Sequence, residues 1–246
     1  MCLEASNIQV KIFLLAFLSF CLCNCRQAGE TKPVSVQQAD SNNLPTYSYH
    51  QVKDSIVTQR KNFSAKNTSL KIFSKKENTE EVVNFWIKSI GRDLYDQWEH
   101  TPWDFNGTAK QPNEGSIACG YFVTTILKDM GCNINRTKLA ICASSVMMKT
   151  IAPQQKIQNF SYFTYVDFDK KLKYSGKGVY IIGLDFHTGF IVNDGHENWF
   201  IHSNYVNGKG VMKEAVLNSA ALKSSKTRWV ISLTKDTGFL YKWIKG

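Results

Sequence analysis

Large apolar side chains recur once per helical turn in one stretch of the chain. Asn78 lies just before this run and Glu81 follows Asn78 by three residues, which is the spacing of a capping box. A helix brings positions four residues apart onto one face, so the run predicts an amphipathic helix with an aromatic stripe in the core. The residues of the stripe are Val82, Trp86, Ile90, Leu94 and Trp98.

A second helical pattern follows a stretch rich in turn-forming residues. The segment from Thr101 to Ser116 contains two prolines and two glycines, which predicts a loop. Apolar positions at helical spacing then run from Phe122 to Met130, and Gly131 provides the expected end of the helix. Cys119 is therefore expected on the first turn of this helix. A further short helix is predicted from about Lys138 to Met148.

The pattern changes to strands in the second half of the chain, where runs of β-branched and aromatic residues lie between turn signals. Helical segments followed by sequential strands predict an α+β fold, with helices packed on one face of an antiparallel sheet. The four predicted strands are Val179–Leu184, Thr188–Val192, Trp199–His202 and Trp229–Leu233.

The dipeptide Asp194-Gly195 between two of these strands is a strong hairpin signal, because a type I′ turn needs positive φ at both central residues. A turn centred there sets His187 directly opposite His202, with the two Cβ atoms about 4.5–5.5 Å apart. A turn centred on Gly195-His196 instead sets Asn204 opposite His187. Both registers keep the partner on the same face as His187, and the first is favoured.

Composition indicates a folded body, because 43% of the 246 residues are hydrophobic and six are tryptophan. The net charge of +10 is compatible with nucleic acid, an anionic polymer or a membrane surface as partner. However, the basic residues are scattered, with only short clusters such as Lys75-Lys76 and Lys170-Lys171. Nothing follows a phosphate backbone, so no nucleic-acid partner is predicted.

The N-terminal 25 residues have the pattern of a signal peptide. Lys11 precedes an apolar run from Ile12 to Leu22 that is too short to span a bilayer. The run ends near Cys25, which resembles the lipidated cysteine of a loose bacterial lipobox; Cys21 and Cys23 are rival sites, and an ordinary cleaved signal is the alternative. We expect an exported protein of the cell envelope, anchored to the membrane by lipid at Cys25.

Residues 26–78 are rich in polar side chains and predict a tether with a loosely ordered lead-in to the body. Three cysteines then lie in the body: Cys119, Cys132 and Cys142. An unpaired thiol is unusual in an oxidising compartment. A disulfide between Cys132 and Cys142 would leave Cys119 free, and three buried reduced cysteines are the equal alternative.

Cys119 has the setting of a nucleophile. The unpaired N–H groups and the positive dipole end of a helix favour thiolate over thiol, and a nearby imidazole can take up the proton. His187 is the candidate base, and His202 or, in the second register, Asn204 is the candidate for orienting it. Cys119, His187 and His202 could in principle bind zinc, but the close-spaced ligand pairs of zinc sites are missing, so we predict no metal and no cofactor.

Two blocks of sequence resemble the NlpC-type branch of the papain-like cysteine peptidases, bacterial enzymes that cut peptides of cell-wall peptidoglycan. Cys119-Gly120-Tyr121-Phe122-Val123 with Gly131 and Arg136 is similar to the nucleophile helix of that family. His187-Thr188-Gly189-Phe190-Ile191-Val192 with Phe200-Ile201-His202-Ser203 is similar to its base and orienting strands. The chain departs from the family in having Ala118 and Gly120 where Asp and Ser are usual.

The resemblance implies a papain-like catalytic domain over residues 79–246, with the nucleophile at a helix N-terminus. It implies that Cys119 attacks an amide carbonyl, His187 transfers the proton and His202 orients His187. Asn113 is implied as a side-chain donor to the oxyanion. Residues Trp103, Asp104 and Phe105 on the approach loop are candidates for the substrate groove.

The expected function is therefore an exported cysteine amidase or endopeptidase, a thiol hydrolase acting on peptidoglycan peptides. A thiol acyltransferase or a toxin amidase would use the same chemistry on another substrate, since a thioester can be resolved by water or by another nucleophile. A non-catalytic envelope-binding module on the same scaffold is the alternative of a different class. The sequence leaves the oligomeric state open.

Overall fold

The computed structural model describes residues 47–66, 76–153 and 155–246. Its centre is a six-stranded antiparallel sheet with the spatial order β1-β6-β2-β3-β4-β5, so the predicted α+β class is confirmed. The predictions of a signal peptide and of a lipid anchor at Cys25 lie outside the described residues. The strands are β1 (Gln158–Asn159), β2 (Gly178–Gly183), β3 (Thr188–Asn193), β4 (Asn198–Asn204), β5 (Gly210–Ala215) and β6 (Trp229–Ser232).

The helical stripe predicted from the sequence is buried as expected, since none of its five residues is more than 1% exposed. The helix begins at Lys76, before the proposed cap Asn78, and its two α-helical parts are joined by a π-helical turn at Ser89–Asp93. The helices are α1 (Tyr49–Lys66), α2 (Lys76–Lys88), α3 (Leu94–Trp98), α4 (Cys119–Asp129), α5 (Arg136–Ala140), α6 (Ser144–Ile151), α7 (Tyr165–Ser175), α8 (Ala220–Ser224) and α9 (Thr237–Lys245).

The prediction of a polar tether over residues 26–78 is wrong for α1. Four side chains of α1 at helical spacing lie in the core: Tyr49, Val52, Ile56 and Phe63. Arg60 donates hydrogen bonds to the carbonyls of Gly131 and Trp243, which ties α1 to the end of α4 and to α9. The polar residues between these positions form the exposed face of the same helix. Because they outnumber the four apolar residues, the composition of the segment resembles that of a polar tether.

Helices cover both faces of the sheet, so the predicted arrangement with helices on one face only is wrong. Successive side chains of a strand point to opposite faces. In β2, Val179 and Ile181 join the larger core with α2 and α4, whereas Tyr180 and Ile182 join a second core with α7 and α8. The sequence between α6 and β2, which showed no clear pattern, supplies α7 to this second layer.

The helix predicted over Lys138 to Met148 is interrupted. It consists of α5 and α6, separated at Ile141 to Ala143, where Ala143 has an extended backbone with ψ of 141°. This break places the end of α5 against the start of α4. Within the described ranges, no helix is long and apolar enough to cross a membrane.

Candidate active site

Cys119 begins helix α4, as the sequence predicts, and the loop before it is fixed from two sides. The Ala118 N–H donates to the carbonyl of Gly107 at 2.9 Å, within the loop. The Ser203 hydroxyl of β4 donates to the carbonyl of Ile117 at 2.6 Å, which links the loop to the sheet. Arg136 holds the other side through hydrogen bonds to Thr125 of α4 and to two loop carbonyls. These contacts give the thiol a fixed position.

Burial raises the pKa of the Cys119 thiol above its ordinary value. The backbone N–H groups of Thr188, Gly120 and Cys119 itself act in the opposite direction, as expected at a helix N-terminus, but they do not outweigh burial. The direction of the shift is therefore opposite to the one that the helix N-terminus alone predicts. A thiol in this setting must lose its proton before the sulfur can act as a nucleophile.

The raised pKa predicts how Cys119 responds to alkylation. Only the thiolate reacts with iodoacetamide, so the rate at Cys119 should be slower at pH 7 than that of a free cysteine peptide and should still rise above pH 9. Peptide mapping after brief labelling at a series of pH values measures this rate. A rate that is already constant by pH 7 would show that Cys119 is a thiolate at rest.

Gly120 explains one departure from the sequence pattern of the resembling family. A Cβ atom built at this position would lie 2.1 Å from the carbonyl oxygen of Ala140, so only glycine fits beside the end of α5. Serine, the usual residue after the nucleophile, is excluded by this backbone contact. The segment between Cys119 and His187 therefore forms part of the site's wall.

The hairpin register that was favoured from the sequence is wrong. Asn193 pairs with Asn198 and Phe190 with Ile201, which is the register of a turn centred on Gly195-His196. The carboxylate of Asp194 accepts hydrogen bonds from the backbone N–H groups of His196 and Glu197. Asp194 thus precedes the centre of the turn, and Gly195, with φ of 100°, takes its first central position.

His187 nevertheless contacts His202 and not Asn204. The Nε2 atom of His187 lies 2.7 Å from the Nδ1 atom of His202. The Asn204 side chain donates to the sulfur of Met212 and accepts from the N–H of Val206. Asn204, the alternative third residue, is thereby engaged elsewhere.

Gly189 makes this diagonal contact between the strands possible. A Cβ atom at Gly189 would lie 2.6 Å from the Phe200 ring and 2.9 Å from the Cβ atom of His202. The Phe200 ring stacks on the His202 imidazole with 3.9 Å between centroids. Because Gly189 leaves its side-chain space empty, Phe200 and His202 can occupy it, and His202 reaches His187 across the strand.

Glu214 extends the pair of imidazoles by one more group. Its Oε1 atom lies 3.1 Å from the Nε2 atom of His202. Burial lowers the pKa of His202, while the hydrogen bond and charge of Glu214 act to raise it. Burial, together with His202, lowers the pKa of His187 well below its ordinary value. Burial thus favours the neutral form of both imidazoles.

Cys119 and His187 face the same cleft, which has a volume of about 680 Å³. The Nδ1 atom of His187 is buried and has no hydrogen-bond partner, and no hydrogen bond joins it to Cys119 among the residues that the structure describes. The cleft is thus bordered by a cysteine and by a histidine that has one unpartnered ring nitrogen. The cleft wall also contains Cys142, Ala143, Met147, Phe186, Lys226 and Trp229.

The candidate groove residues of the approach loop lie outside this lining. Trp103 is closest, since its ring is 6.3 Å from Tyr205, whose ring is 5.1 Å from His187. The Asp104 carboxylate accepts from the Asn106 N–H, and Phe105 is 80% exposed. Asn113 contacts Thr101 and is exposed, so the structure does not bring it to the cleft as an oxyanion donor.

The three described cysteines form no disulfide, so a Cys132–Cys142 bridge is not seen. The alternative of three buried reduced thiols is correct in the lack of a bond but not in burial. Cys132 is buried, whereas Cys142 borders the cleft and donates to the carbonyl of Leu139. In the described part of the chain, no three His, Cys, Asp or Glu side chains are placed to hold a metal ion. His187 and His202 direct one nitrogen each toward the other, which leaves no common ligand position.

Glu214 is the site residue that the sequence reasoning missed. Glu214 lies in β5, for which the sequence pattern predicts no strand. This strand follows a short helical turn at Val206–Gly208. Only the pairing of β5 with β4, which sets Glu214 opposite Phe200, brings its carboxylate to His202.

No family model, no curated protein and no solved structure matches this chain.

Proposed function

We propose that this protein is a cysteine hydrolase that cleaves amide bonds by way of a thioester on Cys119. One observation carries the proposal: Cys119 at a helix N-terminus shares a cleft with His187, which has one unpartnered ring nitrogen and has its other nitrogen held by His202. Pure binding has no need for this combination. Nucleophile, base and orienting group form the arrangement of a thiol protease.

In the proposed reaction the Cys119 sulfur attacks the substrate carbonyl carbon while the Nδ1 atom of His187 takes the thiol proton. The negative charge on the carbonyl oxygen is stabilised by backbone N–H groups at the start of α4. Collapse of the tetrahedral species breaks the carbon–nitrogen bond, and His187 returns the proton to the leaving amine. Water then attacks the thioester carbonyl carbon while His187 takes its proton. Collapse of the second tetrahedral species breaks the carbon–sulfur bond and releases the carboxylic acid, and His187 returns the proton to the Cys119 sulfur.

We further propose peptidoglycan peptides as the substrate class. The support is the resemblance of the Cys119 and His187 blocks to cell-wall peptidases, together with the export signal expected from residues 1–25. Lys226 at the cleft provides a cation for the carboxylates that are abundant in such peptides. The same proposal puts the protein in the bacterial envelope, on a lipid anchor at Cys25.

The test is mass spectrometry of purified muropeptides after incubation with the protein. Hydrolysis adds one water per cleaved bond and releases fragments whose masses identify that bond. A new amide or ester in place of the hydrolysis product would indicate an acyltransferase. Unchanged muropeptides together with an unreactive Cys119 would refute the hydrolase.

The cleft predicts a substitution that affects binding more than chemistry. Ala143 lines the cleft at the start of α6, and a phenylalanine there would take up part of the cleft volume. We expect Ala143→Phe to raise KM about tenfold with a smaller change in kcat, since it removes binding shared by ground and transition states. Val146→Phe is the matched control, because Val146 is 51% exposed on the same helix and does not line the cleft. Equal KM values for both variants would show that substrate binds elsewhere.

A further inference from the structure

The cleft side of His187 can act as a base only if its Nδ1 atom carries no proton. A neutral imidazole carries one proton, on either nitrogen. His187 and His202 share one hydrogen bond, which can run in two directions. In one direction the Nε2–H of His187 donates and Nδ1 is bare. In the other direction His202 donates, and the His187 proton moves to Nδ1, where it blocks the base.

We propose that Glu214 is a positioning residue that fixes the tautomers of both histidines and keeps the Nδ1 atom of His187 free for the Cys119 proton. A carboxylate accepts hydrogen bonds and cannot donate them. The contact with Oε1 of Glu214 therefore requires the proton of His202 on its Nε2 atom. The Nδ1 atom of His202 must then accept from His187, which leaves the Nδ1 atom of His187 bare.

The surroundings keep Glu214 ionised. Burial alone would raise the pKa of this carboxyl, but hydrogen bonds from His202 and Ser219 and the charge of Lys209 hold it below the ordinary value. Only 13% of the side chain is exposed, so the carboxylate has little competition from water. Tyr165 also lies within electrostatic range, and burial with the charge of Glu214 keeps its phenol protonated.

The lack of a partner at the Nδ1 atom of His187 agrees with this arrangement of hydrogen bonds. Three nitrogens of the two imidazoles have partners, and the fourth, Nδ1 of His187, is buried without one. The other groups facing the pair are Cys119 from α4, the Phe200 ring and the Tyr205 ring, and neither ring fixes a proton position. Glu214 is thus the group that selects one of the two directions of the hydrogen bond between His187 and His202.

Long-range proton–nitrogen NMR of the full-length protein measures the tautomers without any turnover. In the wild type at neutral pH we expect His187 and His202 both to carry the proton on Nε2, with peaks assigned from His187→Gln and His202→Gln. In Glu214→Gln the amide can either accept or donate, so a second set of peaks with the proton of His187 on Nδ1 should appear. Glu197→Gln is the matched control, because Glu197 is an acidic residue at the β3–β4 turn that pairs with Lys173.

The kinetic part of the proposal rests on the proposed hydrolase. Glu214→Gln should lower kcat about 10²-fold and shift the acid limb of the pH profile to lower pH, because loss of the negative charge disfavours imidazolium. A variant that merely loosens the fold would lower kcat without moving that limb.

The wild-type spectrum alone can overturn the proposal, even if Glu214→Gln does not fold. A proton on Nδ1 of His187 in the wild type, or unchanged tautomers in Glu214→Gln, would show that Glu214 does not set them. Correct tautomers in a protein that cleaves no substrate would instead refute only the hydrolase.

Discussion

Replacing Cys119 with alanine is expected to reduce amide hydrolysis by about 10⁵-fold or more, to the background of the assay. The physical reason is that no other group in the cleft can form the acyl intermediate by the same route. Cys142 borders the same cleft, but its thiol donates to the Leu139 carbonyl and it is not at a helix N-terminus next to His187. Initial rates of muropeptide cleavage measure the effect.

Cys142→Ala is the matched control, because it removes the second thiol of the same cleft and should leave the rate within about threefold of wild type. Mass spectrometry after a rapid quench should show an acyl group on the Cys119 peptide and none on the Cys142 peptide. Acylation at Cys142, or full activity of Cys119→Ala, would show that Cys119 is not the nucleophile.

Replacing His187 with alanine is expected to lower kcat about 10²- to 10⁴-fold, which is the usual contribution of a general base. The effect should be large because burial raises the pKa of the Cys119 thiol, so little thiolate exists at neutral pH without a base. His202→Ala should give an intermediate loss, since His187 remains but loses the contact at 2.7 Å that orients it.

Asn204→Ala is the control for this series, because its side chain bonds Met212 and Val206 and does not contact His187. It should leave kcat near the wild-type value. Thermal unfolding of each variant separates loss of catalysis from loss of the fold. If Asn204→Ala lowers kcat more than His202→Ala does, the orienting role belongs to Asn204 despite the contact that His202 makes.

The hydrophobic pattern alone predicts those elements in which the apolar positions of the sequence are also the buried positions of the fold. The stripe from Val82 to Trp98 is buried along its whole length, because helical periodicity and burial coincide there. The turn residues before Cys119 predict the start of α4, and Gly131, with φ of 83°, marks its end. Together they place the thiol on the first turn of the helix. The parity of β3 and β4 put His187 and His202 on one face in either register.

Tertiary structure decided the features that depend on contacts between distant segments. Burial reversed the expected direction of the Cys119 pKa shift, and the side chain of Asp194 moved the turn by one residue. The space above Gly189 then restored the contact between His187 and His202 in the changed register. The pKa shift arises from desolvation and the contact at Gly189 arises from the neighbouring strand, and a local pattern encodes neither. The hydrogen bonds of Asp194 lie within the turn itself, where the Asp-Gly signal favoured a different centre.

The sequence by itself therefore determined the α+β class, the helix N-terminus that carries Cys119 and the pair of histidines. Only the tertiary structure decided that the second layer of helices exists, that α1 belongs to the core and that Glu214 contacts His202. The physical reason is that periodicity reports which face of an element is buried. Which elements meet at that face is fixed by strand pairing and by the close approach that residues such as Gly120 allow.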